Sequence, residues 1–244
     1  MARDSLGAPP EAFYDLFFLL SRGYPRSEAL ELVKRRHRLS KRSAVLLSRC
    51  IHPRRVAAMV ASKLVPAKRL RGGKLVVDGF NQLATIYAAL TGAPVLRCVD
   101  GLTRDALLAG PRPVVENIDR LAALLASALR MVNPGRVIIV FDSQPSHSGE
   151  AAVVVRRALE GLEAIVEVSR TADKRVIEYA ASGYVAASSD IAIAASPRVA
   201  RLFDLAGFAV ASLLPGAKVN NIPLLLGEMH SQWCRKGGGE GPVA

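Results

Sequence analysis

Four aspartates each stand at the end of a short apolar run. The runs are Leu75-Val76-Val77-Asp78, Val95-Leu96-Arg97-Cys98-Val99-Asp100, Val137-Ile138-Ile139-Val140-Phe141-Asp142 and Tyr184-Val185-Ala186-Ala187-Ser188-Ser189-Asp190. Short β-branched runs with helical patterns between them predict a parallel sheet of βαβ units, and ligands bind such a sheet outside the carboxyl ends of its strands. Four carboxylates gathered at one edge repel unless a hard divalent cation such as Mg²⁺ or Mn²⁺ stands among them. The chemistry this arrangement suits is metal-assisted cleavage of a phosphodiester. Taken singly, each aspartate has a plainer reading as a helix N-cap. Four of the chain's ten aspartates at one predicted edge are harder to assign to capping.

Other residues near these strand ends extend the candidate set. Asp173 opens a predicted helix, where the dipole favours a negative charge in any case. Asn81 lies three residues after Asp78 and could orient a phosphate or water, or cap the first helix. Arg104 and Asp105 follow Asp100 closely; Arg104 is a candidate substrate contact, or half of a local ion pair. His147 lies on a polar loop, where a lone histidine is usually incidental. Ser146 and Ser148 beside it do not form a G-x-S-x-G nucleophile elbow. The absence of G-x-x-x-x-G-K-[ST] argues against a P-loop hydrolase, and the absence of G-x-G-x-x-G after the first strand argues against a dinucleotide cofactor. The Asp78-Gly79-Phe80 start lacks the second aspartate of an aspartyl-phosphate phosphatase.

The elements that must position these acids read as an alternation. Strands are expected at 74–78, 94–99, 137–141, 164–168, 184–188 and 208–213. Helices are expected over 81–90, after Pro113 to Asn133-Pro134-Gly135, before 164, over 171–181, over 197–207 and over 221–233. The fold class this predicts is α/β, a parallel sheet flanked by helices, preceded by a small all-α basic domain. The second part runs from 71 to 244 and the first from 1 to 70, with three or four short helices over about 10–64 and a linker-like Pro66–Gly73.

Charge marks the same division. Residues 22–74 carry 16 Lys or Arg against two acids, while the whole chain is +12, so the remainder is slightly acidic. Within the basic part, Lys34, Arg35, Arg36 and Arg38, followed by Lys41 and Arg42, could lie along phosphates and supply non-specific affinity. The plainer reading of one such run is a solvated helix face; an excess sustained over some 50 residues favours nucleic acid as the partner. Half the residues are hydrophobic and 22% charged, enough for a sizeable core. Cys50, Cys98 and Cys234 are widely spaced and odd in number, so neither a disulfide nor a thiolate metal site is expected, and a reducing cytoplasm is the default location. No leader pattern opens the chain and no apolar run approaches a membrane span.

The series VVDGFN at 76–81, IVFDSQPSHSG at 139–149, TADKRVIEYA at 171–180 and VAASSDIAI at 185–193 resembles the NYN branch of the PIN-like nucleases, in order, strand-end position and spacing over about 74–213. The stretches LLSRGYPRSEALELV at 19–33 and RLSKRSAVLL at 38–47 resemble a small archaeal domain of unknown function that is joined to a PIN-like partner. The resemblance implies a PIN-like, Rossmannoid fold and a ribonuclease dependent on Mg²⁺ or Mn²⁺. Asp78 and Asp142 would be metal ligands, Asp173 and Asp190 would complete the acidic cluster, and Asn81 would support it. The chain departs from the family at Lys174, where a second acid is common and a lysine could touch phosphate instead, and at Asp100, which lies outside the family pattern and is taken as an extra ligand. The alternative is an RNA-binding protein whose PIN-like part is a scaffold without turnover, as in a subunit of an RNA-processing assembly.

Overall fold

The structure, a computed structural model, describes residues 7–106 and 110–235. Among the described residues four helices come first: α1 (Pro10–Ser21), α2 (Arg26–Arg36), α3 (Lys41–Cys50) and α4 (Arg54–Ser62). Pro10 opens α1, where its missing N–H costs nothing. Helix α1 buries Ala12, Phe13, Tyr14, Leu16, Phe17 and Leu20, more than one face, because neighbours surround it. Gly23 at φ 89° and Pro25 make the turn into α2. Ser40 caps α3, its hydroxyl accepting from the Ser43 amide at 3.0 Å.

The second part is mixed α/β. Its main sheet takes β1 (Lys74–Asp78), β4 (Arg136–Asp142), β5 (Ala164–Ser169) and β6 (Val185–Ala187) in the order β5-β4-β1-β6, every pair parallel. Side chains alternate across it with period two. Leu75, Val77, Val137, Ile139 and Phe141 face a core shared with α5 (Gly79–Leu90), α7 (Ile118–Val132), α8 (Ser148–Ala158) and α11 (Leu205–Leu213). Val76, Ile138, Val140 and Ala186 face the opposite way, onto Val60 of α4, Val176 of α9 (Ala172–Ala181) and Ile193 of α10 (Ile191–Ala194). Helices thus cover both faces, which is why the strands are apolar almost throughout.

A second, three-stranded sheet was not foreseen as separate. Strand β2 (Val95–Arg97) pairs antiparallel with β3 (Thr103–Asp105) and parallel with β7 (Val219–Asn221). The expected strand at 94–99 therefore forms in shortened form but leaves the main sheet, and takes Asp100 with it. The expectation of a helix over 197–207 followed by a strand over 208–213 is also corrected. Residues 201–203 run extended, pairing with Lys63 and Ala186, and the helix is α11. Ala209 and Val210 of its apolar run are buried, and periodicity does not separate a buried helix from a buried strand. Asp204 sets its start by accepting from the Gly207 amide and the Thr103 hydroxyl.

The cysteine expectation is overturned. Cys50, closing α3, is bonded to Cys98 beyond β2 across 48 residues of chain. Both lie in a core that joins α1, α2 and α3 to Leu96 of β2 and to Ile222 and Leu226 of α12 (Ile222–Arg235). With Cys50 and Cys98 paired, the cysteines give no indication of a reducing compartment. The change from helices to sheet falls near residues 70 and 71, but the hydrophobic core of the helical part is completed by residues beyond 90. Among the described residues no helix is long and apolar enough to cross a membrane.

Candidate functional site

The carboxyl ends of β1, β4 and β6 lie side by side, since Asp78 is in register with Val140, and Val77 with Ala187. By alternation, Asp78 and Asp142 belong to the face of Val76, Ile138 and Val140, the face that carries α9 and α10. Asp173 enters from the first turn of α9, and Asp190 from the N-cap of α10. Gly79 makes the approach of α5 possible: a Cβ there would stand 2.7 Å from the Phe141 ring. That close contact sets the turn from which both Asp78 and Asn81 project.

Asp78 stands at the N-cap of α5 without a well-formed capping hydrogen bond, the Asn81 backbone amide giving its carboxyl only partial support. Its Oδ2 accepts from the Ser188 hydroxyl at 2.7 Å. Burial, chiefly, with the charges of Asp173 and Asp190, pushes its carboxyl up to about 7, although the Ser188 bond works the other way. Asp173 is raised as well, by burial and by Asp190 and Asp142. These four acids therefore feel one another. Asp142 and Asp190 each also serve the backbone, Asp142 Oδ1 accepting from the Gln144 amide at 2.9 Å and Asp190 Oδ1 from the Ala192 amide at 2.6 Å. Asn81 Oδ1 accepts from the amide and the hydroxyl of Ser189, both at 2.9 Å, and from Gln82. Ser188 and Ser189, passed over in the sequence, are thus part of the site. Their signal was present: two hydroxyls between a strand end and Asp190.

Oxygen donors of this kind suit Mg²⁺ or Mn²⁺. The side chains do not stand as a closed cage: among the described residues no three His, Cys, Asp or Glu groups are close enough together to hold an ion. The donor chemistry fits a hard cation, and the carboxylates would have to turn toward one another to bind it.

Two candidates are corrected. Asp100 is fully buried at the tip of the second sheet, its two oxygens gripped by Arg104 at 2.8 and 2.6 Å, so it has no oxygen to give a metal at the acidic edge. Arg104 is 2% exposed and spends its remaining Nε–H on the Ser189 carbonyl at 2.8 Å, so it does not touch substrate. Asp105, also buried, pairs with Arg49 at 3.2 Å. Lys174 is exposed and lies 4.0 Å from Glu178. In the helical part, Arg35, Arg38, Lys41 and Arg42 are exposed, Arg36 pairs with Asp15 at 3.2 Å, and Lys34 with Glu31 at 3.0 Å. Beyond Asp142, the loop from Pro145 to His147 borders an open cleft of about 670 Å³ closed on its other side by Arg112, Val115 and Glu116. His147 there pairs with Glu150 at 3.0 Å.

Residues 67–207 match the family described as Domain of unknown function (DUF5616), and residues 10–63 match the one described as Protein of unknown function (DUF434). The chain is similar to the uncharacterized protein MJ0935 of Methanocaldococcus jannaschii, 28% identical over 199 residues, which cover 80% of this chain and 93% of that one. No solved structure matches the chain significantly.

Proposed function

Because the chain belongs to the family described as Domain of unknown function (DUF5616), its activity has to be read from its own acidic edge, and we propose that it is a divalent-metal-dependent ribonuclease of the PIN-like kind. The observation that carries this reading is that four acids converge on one edge: burial first, then Asp173 and Asp190, brings Asp78 to about 7, and burial with Asp190 and Asp142 raises Asp173. Perturbed carboxylates at the carboxyl edge of a parallel sheet are where chemistry, rather than stability, places them.

The four aspartates would hold Mg²⁺ or Mn²⁺. When bound, such an ion supplies Lewis acidity and a water of lowered pKa. The chain's own residues do the rest. Without the ion, burial and the neighbouring acids hold Asp78 up at about 7, so binding a cation there would displace the proton its carboxyl keeps at lower pH. Ser188 fixes the orientation of that carboxyl through Oδ2. Asn81 commits its carbonyl oxygen to Ser189 and Gln82, so its amide hydrogens are what it offers a phosphate. The exposed Arg35, Arg38, Lys41 and Arg42 supply cations for the RNA backbone.

Cleavage of labelled single-stranded RNA and of a hairpin, with Mn²⁺ or EDTA, tests the reading. Asp142→Asn keeps an Oδ1 acceptor for the Gln144 amide, so the turn survives, and Mn²⁺-dependent cutting is abolished. A variant that cut as fast as the wild type would remove Asp142 from the centre. The separation of the carboxylates favours a second reading, an RNA-binding protein whose acidic edge does not turn over. Tight, salt-sensitive binding without cutting in any metal is its signature.

A further inference from the structure

Residues Ser188 to Asp190 reach the acidic edge on a turn rather than on a strand, since β6 ends at Ala187. Asn81 holds that turn from one side, through the Ser189 amide and hydroxyl. From the other side the Ser189 carbonyl accepts from Arg104 Nε at 2.8 Å. Arg104 is itself locked by Asp100 through both terminal nitrogens, and Asp100 Oδ1 also accepts from the Leu102 amide at 3.1 Å. A forked guanidinium held on two sides and donating on the third is a rigid part.

The chain of contacts continues out of the sheet. His52 Nε2, buried and with no hydrogen-bond partner, lies 3.7 Å from Asp100 Oδ2. His52 Nδ1 accepts from Arg26 Nη2 at 3.1 Å, which assigns the ring proton to Nε2, facing Asp100. Arg26 also donates to the Ser48 and Ile51 carbonyls at the end of α3. The helix that begins at Arg26 is the one that carries Lys34, Arg35 and Arg36.

We infer that Arg104, clamped by Asp100, is a positioning residue that fixes the Ser188–Asp190 turn; His52 packs beside Asp100 without a hydrogen bond to it, on the side of the basic helices. The inference rests on the nuclease reading for its catalytic consequence, but not for its structural one. A buried ion pair is seldom the cheapest way to stabilise a core, because desolvation offsets most of the attraction. Here the pair gives a fixed donor to a backbone carbonyl outside its own sheet.

The test removes both charges together, so that neither is left buried alone: Asp100→Asn with Arg104→Gln, which also keeps an acceptor for the Leu102 amide. Arg104→Lys is the companion, retaining the charge opposite Asp100 but not the fork. Amide hydrogen exchange is followed in peptides covering 188–192 and, as the internal control, β1 and β4. The expected result is exchange in 188–192 faster by about tenfold or more with β1 and β4 unchanged, in both variants. With RNA and Mn²⁺, kcat falls on the order of 10²-fold while KM holds, as for a displaced catalytic group. Unchanged protection at 188–192 overturns the strut, whether or not the protein cuts RNA. A wild type that does not cut, with the exchange result as expected, overturns the nuclease reading and leaves the strut standing. If the double variant does not fold, Arg104→Lys alone decides.

Discussion

Asp78 is where the free energy of the acidic edge can be measured without a substrate. Its carboxyl sits at about 7 in the folded protein and in the ordinary carboxylate range when unfolded. Between those values the folded state keeps a proton that the unfolded chain has lost. Stability therefore falls as pH rises from about 4 toward 7, and levels off above it. Asp78→Asn removes that titration, so in EDTA the variant gains up to about 4 kcal/mol at pH 8 and almost nothing at pH 4. Denaturant unfolding at the two pH values checks this; a variant equally destabilised at both would mean that Asp78 is simply a structural hydrogen-bond partner of Ser188. At this scale the sequence was most informative where an acid ends a strand, as at Asp78 and Asp142. It misassigned Asp100 for a definite reason. An apolar run announces a strand but not the sheet it will join, and Arg104, four residues on, was the cue that a buried pair was being built. The serines at 188 and 189 were overlooked because hydroxyls at a strand end look like ordinary turn chemistry.

The two helices α2 and α3 carry the positive charge as an element property rather than as single contacts. Arg36 and Lys34 have acidic neighbours, whereas Arg35, Arg38 and Lys41 are exposed to solvent. Replacing Arg35, Arg38 and Lys41 together by Gln should weaken binding to single-stranded RNA and reduce the slope of log K against log[salt] by about 2, at roughly 0.7 for each phosphate left without its cation. Fluorescence anisotropy over a salt series measures it; an unaltered slope would make this surface a solvated face and nothing more. The elements themselves were legible to different degrees. Strand β4 forms where the sequence puts it, whereas the helix expected from Pro113 is broken at Asn117 into a short helix, Pro111–Glu116, and α7, which ends at Asn133 as expected. Helix α11 is apolar on nearly every side, so its own residues did not distinguish it from a strand; the distinguishing feature was Asp204 as a cap, which reads only once its partner Gly207 is seen.

The whole molecule is less divisible than its charge distribution suggests. Cys50–Cys98 joins the helical part to the segment after β2, closing a loop of 48 residues. On the chain-entropy account such a bridge is worth about 4 kcal/mol, with measured bridges typically about 2–4 kcal/mol. Cys50→Ala with Cys98→Ala should lower stability by that amount, read by denaturant unfolding of the full chain without reductant. No loss would show that the bond adds nothing to the stability of the folded protein. Sequence reasoning missed the bridge because cysteine spacing does not reveal which cysteines a fold brings together. It placed a boundary at 70 because composition changes there, while contacts do not respect composition.

The core around α1 has a further consequence, for the order in which the chain is made. Tyr14 meets His230 through its hydroxyl at 3.2 Å, 216 positions apart, and Ile222 and Leu226 help fill the core in which Phe13 and Leu16 are buried. On a ribosome, α1 must wait for α12, about 200 residues later, before its apolar sides are fully covered. Such distant pairing slows folding and prolongs the exposure of sticky surface.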